Sequence, residues 1–256
     1  MAFIFLGIIS LVRNDTFIPL DADYNTWGWL LLSGLIGFVI GDLLLFQAFV
    51  EIGARISMLM MSLAPPLAAL FGWIIIGEQL GFYHIIGMVI TLSGIAIVII
   101  SKPTEQSKMK LSYPLRGLLL AFGGATGQGL GLVISKLGMK DYDPFLSTQI
   151  RVIAGIGGFG ILFSFYGYWS NFKNAIKNTS ALKRISLGAF FGPFLGVSLS
   201  LLAIQHTSTG VASTIMAIVP VLIIAPAAII FKEKITLKEV LGAIIAIGGV
   251  ITLFVS

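Results

Sequence analysis

Residues 41–101 and 196–256 are two copies of one pattern. A shift of 155 positions lays the first on the second without a gap, with thirteen identities. Gly41 meets Gly196, Ala48 meets Ala203, Met61 meets Met216 and Pro65 meets Pro220. Glu78 then meets Glu233, Gly87 meets Gly242, Gly94 meets Gly249 and Ser101 meets Ser256. Both stretches are mostly Ile, Leu, Ala and Gly, so composition alone yields some identities. It does not yield one proline, one glutamate and two glycines in phase. The period is too long for a solenoid, so the chain reads as two halves of one fold.

The solvent for those halves is lipid. Of the 256 residues, 57% are hydrophobic and 11% charged, against about 25% charged in a soluble domain. The apolar stretches are continuous and do not alternate, which excludes a β-barrel. In chain order, complete spans cover Trp27–Val50, about 55–77, about 82–100, about 114–137, Pro144–Trp169, Ile185–Gln205, Gly210–Phe231 and Leu237–Val255. Each approaches the roughly 20 residues needed to cross about 30 Å of hydrocarbon. Residues 1–12 are apolar but too short, and lack the basic start and small-residue cleavage site of a signal peptide. They read as the back end of a helix. The shift matches them to about 156–167, so one helix and half of another have no first-copy counterpart in this chain.

Counting crossings gives the topology. Trp27–Val50 corresponds to Ile185–Gln205 five crossings later; five is odd, so the second copy enters from the opposite side. The expected fold is therefore all-α and polytopic, an inverted repeat of helical bundles. The expected domains are residues 1–101, a polar linker 102–113, and residues 114–256. Many secondary transporters use this architecture for alternating access, with the substrate near the midplane.

Several motifs carry a family resemblance. They are Gly41-Asp42-Leu43, the Ala48-Phe49…Ile52-Gly53-Ala54-Arg55 turn, Leu63-Ala64-Pro65, Gly77-Glu78, Gly87 and Gly94. The second copy adds Pro220, Glu233, Gly242 and Gly249, and Gly127-Gln128-Gly129, Ser135-Lys136 and Gln149-Ile150-Arg151 precede it. With these the chain resembles the EamA-type permeases of the drug/metabolite transporter superfamily. The resemblance implies ten helices in two inverted five-helix halves, here eight full helices and a fragment. It implies transport and leaves the substrate open, since members move amino acids, sugars, nucleotide derivatives and drugs.

Few residues carry chemistry. Asp42 lies inside a span, where an ionised carboxylate costs about 2.5–3.5 kcal/mol on insertion scales, and its counterpart is Val197. It reads either as a cavity-lining group that takes a proton or as half of a helix pair, for instance with Arg116. Arg151 is seven residues into its span, roughly 10 Å by helix rise. It either snorkels to the surface or guards a cavity. Gln128 and Gln47 are candidate substrate contacts, their amides being able to bond across helices. Gln205 and His206 reach the interface, where solvation accounts for them. Pro65, Pro66 and Pro220 remove backbone donors in mid-span; Pro65 and Pro220 recur in register and are the expected hinges or helix breaks. Three ladders, Ser33/Gly37/Gly41, Gly123/Gly127/Gly131 and Gly188/Gly192/Gly196, suit close backbone approach.

Other classes have little support. Cysteine is absent and His84 and His206 lie far apart, so thiolate chemistry, a paired-His metal site and any cofactor are not expected. No nucleophile elbow, phosphate loop or paired-carboxylate motif occurs, so the chain does not read as an enzyme. The net charge of +5 comes without a basic patch interleaved with aromatics, which argues against nucleic acid. The expected partners are a small-molecule substrate and the lipid bilayer of the cell membrane. A proton or ion gradient is the coupling candidate, and a homodimer the assembly candidate. A non-transporting membrane remnant or interaction protein is the alternative. Arg55, Arg184 and most lysines fall on one side, and Asp15, Asp21, Asp23, Asp141 and Asp143 on the other. The positive-inside rule puts the linker in the cytoplasm; the family pattern of cytoplasmic termini says the reverse.

Overall fold

The structure, a computed structural model, describes residues 1–101, 114–169, 172, 177–222 and 236–255. The linker, Pro226, Glu233 and residues 223–231 of the Gly210–Phe231 span lie outside these. Among the described residues there is no strand. The helices are α1 (Ala2–Asn14), α2 (Tyr24–Gly34), α3 (Asp42–Met61), α4 (Ala64–Phe71), α5 (Phe82–Ser101), α6 (Leu115–Met139) and α7 (Pro144–Tyr166). They continue with α8 (Thr179–Ala189), α9 (Val197–His206), α10 (Thr209–Met216), α11 (Val219–Leu222) and α12 (Leu237–Val255). Wider π-helical turns at Leu35–Gly41, Gly72–Ile76 and Phe190–Gly196 join α2 to α3, extend α4, and join α8 to α9. Among the described residues, five continuous helical stretches are long and apolar enough to cross a membrane: Tyr24–Ala54, Ile56–Ile76, Leu115–Met139, Pro144–Tyr166 and Thr179–His206.

The repeat extends to the irregularities. Shifted by 155, α2 becomes α8, the π turn at Leu35–Gly41 becomes that at Phe190–Gly196, and α5 starts where α12 starts. The breaks coincide as well. α3 ends at Met61 and α4 opens at Ala64; α10 ends at Met216 and α11 opens at Val219. Pro65 and Pro220 thus each stand second in a new helical segment, where the missing N–H is one of the orphans of a helix start. Between Glu51 and Ile56 the chain turns at Gly53, whose φ of 79° favours glycine.

By contact the chain forms two compact units, each drawing on both copies. One comprises Met1–Ile40 with Leu130–His206, the other Gly41–Gly129 with Thr207–Ser256. In the second unit, α5 and α12 pack through glycines. A Cβ at Gly94 would meet Gly242 O at 2.6 Å, and one at Gly249 would meet Gly87 O at 2.9 Å. A Cβ at Gly87 would meet Thr252 Oγ1 at 2.6 Å, and one at Gly242 would meet Ile97 Cγ2 at 3.0 Å. Rising numbers on α5 face falling numbers on α12, so the two helices are antiparallel. Each contact also maps onto another under the shift, which is two-fold symmetry. The inverted repeat is built into this pair.

In the first unit, Asp23 caps α2 by accepting from Thr26 N at 2.9 Å. Its carboxyl is held below the usual range by the Thr26 hydroxyl and amide. Asp143 caps α7, accepting from Phe145 N and Leu146 N, and pairs with Arg13. Part of the acid-rich face is therefore a set of helix caps, which favour anions at helix N-termini. Beside it, burial and the Asp21 carboxylate push the Tyr142 phenol up.

Two ladders pack as expected and one does not. A Cβ at Gly131 would lie 3.0 Å from Gly37 Cα and 3.3 Å from Ser33 O. Gly188 and Gly192 meet nothing within 4 Å, so the third ladder makes no close approach among the described residues. Gln205 is also corrected: its amide donates to Lys140 O and Tyr142 O at 2.7 and 3.1 Å, so protein and not solvent satisfies it.

Gly94→Val should destabilise by about 1–3 kcal/mol, the usual cost of overpacking. Gly248→Val, at a glycine with no neighbour within 4 Å among the described residues, should leave stability unchanged. Thermal unfolding in detergent reads both.

Candidate substrate site

The π turn before α3 positions Asp42. A π turn inserts one extra residue and rotates the next helical segment around the axis, and such turns recur at functional sites. Asp42 is the first residue beyond it. Small residues then let α6 come close. A Cβ at Gly124 would sit 3.3 Å from Gly41 O, one at Gly123 would sit 2.9 Å from Leu44 Cδ1, and one at Gly129 would sit 3.1 Å from Ala64 O. Across that approach Gln128 Nε2 donates to Asp42 Oδ1 at 2.7 Å. Both side chains are half-buried.

Two sequence candidates therefore meet as one pair, a carboxylate accepting from an amide within a span. A hydrogen bond to an ionised acceptor is roughly twice as strong as a neutral one. The expected helix pair of Asp42 with Arg116 is replaced by another. Arg116 Nε lies 3.3 Å from Glu51 Oε1, at the end of the unit where Gly117 packs on Ile52. Gln47 comes five residues after Asp42 on α3 and is exposed at the helix surface. At 100° per residue it points well away from Asp42.

Arg151 belongs to the other unit. It is 4% exposed, so it does not snorkel. Its guanidinium sits over the Phe38 ring, 4.5 Å from the centroid. Phe38 belongs to the same π turn that precedes Asp42. α7 comes near because Gly34 lacks a side chain; a Cβ there would meet Arg151 O at 2.6 Å. Around Arg151, α7 carries a buried polar run of Ser147, Thr148 and Gln149, and Gln149 Nε2 donates to Phe17 O at 2.7 Å. Ser33 and Ser135 share a buried hydrogen bond of 2.9 Å. Pro65 is buried, and Trp73, four residues beyond Ala69, is 62% exposed.

Sequence reasoning missed Phe38 as the partner of Arg151 and Gln149 as the partner of Phe17. Nothing in a lone phenylalanine marks a cation partner, and π turns have no composition signature. No group of three or more metal-ligating side chains occurs among the described residues.

Known proteins share both the sequence pattern and the fold. Residues 1–100 and 115–255 match the EamA-like transporter family. The human protein named solute carrier family 35 member G1 is 28% identical over 148 residues, 56% of this chain and 40% of its own length. The uncharacterized transporter YvbV of Bacillus subtilis strain 168 is 23% identical over 234 residues, 88% of this chain and 71% of its own. A solved crystal structure superposes with a TM-score of 0.75 at 15% identity, covering 99% of this chain and 84% of that one; it speaks to the fold alone.

Replacing Phe38 by Leu removes the ring beneath Arg151 and should lower stability by about 0.5–2 kcal/mol, the range for cation–π contacts. Phe46→Leu, at a ring 56% exposed, should cost less in the same detergent melting assay.

Proposed function

We propose that this chain, which belongs to the EamA-like transporter family, moves a small metabolite or drug-like solute across the cytoplasmic membrane by alternating access. The two repeats, 1–101 and 114–256, are read as the halves that exchange conformation, with Pro65 and Pro220 at their hinges. The Asp42–Gln128 pair supports this most. It is a hydrogen-bonded carboxylate within a span, and its counterpart in the other copy is Val197. A carboxylate at such depth is expensive unless it faces protein or water, and commonly marks a solute or proton path. Asp42 is the proton-sensitive group in this reading, and Gln128 beside it contacts the solute. With no nucleotide-binding motif in the sequence, the driving force is an ion gradient or the solute's own gradient.

Full-length protein in liposomes should take up at least one member of a panel of small polar and amphipathic solutes. Asp42→Asn should flatten the pH dependence of that uptake, and an unchanged profile removes its role. Absence of flux for every solute and every imposed gradient would favour the second reading, a membrane protein that binds a partner and does not transport.

A further inference from the structure

Glu78 has no part in that reading, yet its surroundings are closely built. The π turn at Gly72–Ile76 ends at Gly77, left-handed with φ 74°. There the Gly77 amide donates to Trp73 O at 3.2 Å and the Glu78 amide to Gly72 O at 3.1 Å. The reversal carries the Glu78 carboxylate back to the first residue of α10. Thr209 N–H and Thr209 Oγ1 both donate to Glu78 Oε2, at 2.9 and 2.6 Å. Gly72 leaves the room: a Cβ there would lie 2.5 Å from each of those oxygens, Glu78 Oε2 and Thr209 Oγ1. Gly210 brings α10 onto Ala69 of α4 in the same way. An anion at a helix N-terminus, bonded to its first amide, ties the two segments together.

The other copy keeps the glutamate and changes the rest. Glu233 matches Glu78, but Ala54 stands for Thr209, Ala227 for Gly72 and Lys232 for Gly77. Ala54 has no hydroxyl, Ala227 carries the Cβ that Gly72 lacks, and Lys232 resists a left-handed turn. Burial is unequal too. Thr209–Thr214 are all buried, whereas Ala54 is exposed. Ser213 is 9% exposed and its counterpart Met58 is 39%.

We infer that the Glu78–Thr209 contact is a one-sided lock. It holds shut the end of this unit that carries residues 77–81 and 207–209, on the acid-rich side by the count of crossings. The sequence offers the end at residues 51–55 neither the hydroxyl nor the two glycines that this contact uses. The resting protein therefore favours the state closed on the acid-rich side and open on the lysine-rich one. The inference rests on the alternating-access reading.

The chain has no cysteine, so reporters can be introduced singly. Ser213→Cys and Met58→Cys mark equivalent positions at the two ends, read by the rate of labelling with a water-soluble maleimide in nanodiscs. Thr209→Val removes the hydroxyl, and Gly72→Ala independently drives a methyl between the two oxygens. Losing a hydrogen bond to a charged group moves a two-state balance by about tenfold. Either change should raise labelling at position 213 about tenfold and lower it at position 58, while Thr209→Ser keeps the parent rates. Rates that rise at both positions, change at neither, or change at 213 alone overturn the lock and leave Glu78 a static helix cap. Should both variants lose their fold, Ala54→Thr with Ala227→Gly and Lys232→Gly supplies the missing lock parts at the other end and should reverse the pattern; unchanged rates overturn the inference. Opposed labelling shifts without flux of any solute would keep the lock and remove the transport reading. Flux with no opposed shift would do the converse.

Discussion

The second unit depends on the glycine contact between α5 and α12. Lipid offers no hydrophobic drive for two helices to associate, so van der Waals contact between closely approaching backbones has to supply it. Gly87, Gly94, Gly242 and Gly249 allow that approach. Because the four are the same two positions in two copies, the contact can be made self-complementary only about a two-fold axis. That axis makes the duplicated segments run in opposite directions. A side chain at any of the four would separate the helices and blur the symmetry together.

The copies share irregular backbone as well. The π turn at Leu35–Gly41, the helix break after Met61 and the position of Pro65 recur at one offset. Irregular backbone is tolerated at membrane depth where protein or water satisfies it, so its retention in both copies marks features the fold uses. Side chains placed on this common frame diverge. Asp42 faces Gln128 where the other copy has Val197, and Thr209 meets Glu78 where the other copy has Ala54. An inverted repeat with identical copies would have no preferred direction. The substitutions on the frame are what give the two membrane faces different chemistry.

Much of the fold was legible beforehand, for particular reasons. Lipid demands long apolar runs, so span existence follows from composition; the parity of crossings follows from counting; Pro65 and Pro220 announce their own breaks. Less was legible of the site. Asp42 and Gln128 stood out as polar groups in apolar spans, but nothing along the chain tied one to the other across 86 positions. Arg116 was an equally good partner for Asp42 by charge, and pairs with Glu51 instead. The Gly188/Gly192/Gly196 ladder looks like the other two in sequence, yet Gly188 and Gly192 pack on nothing nearby among the described residues, since a glycine records only that approach is allowed.

Sequence by itself determined a duplicated, inverted, all-helical membrane bundle, because hydrophobic length, proline and glycine act locally and recur in phase. Only the tertiary structure decided which polar groups meet: Asp42 with Gln128, Arg151 with Phe38, Glu78 with Thr209. The reason is physical. Those pairings depend on how far each π turn rotates a helix and on which backbone a glycine admits, and both are set by packing between segments distant in the chain.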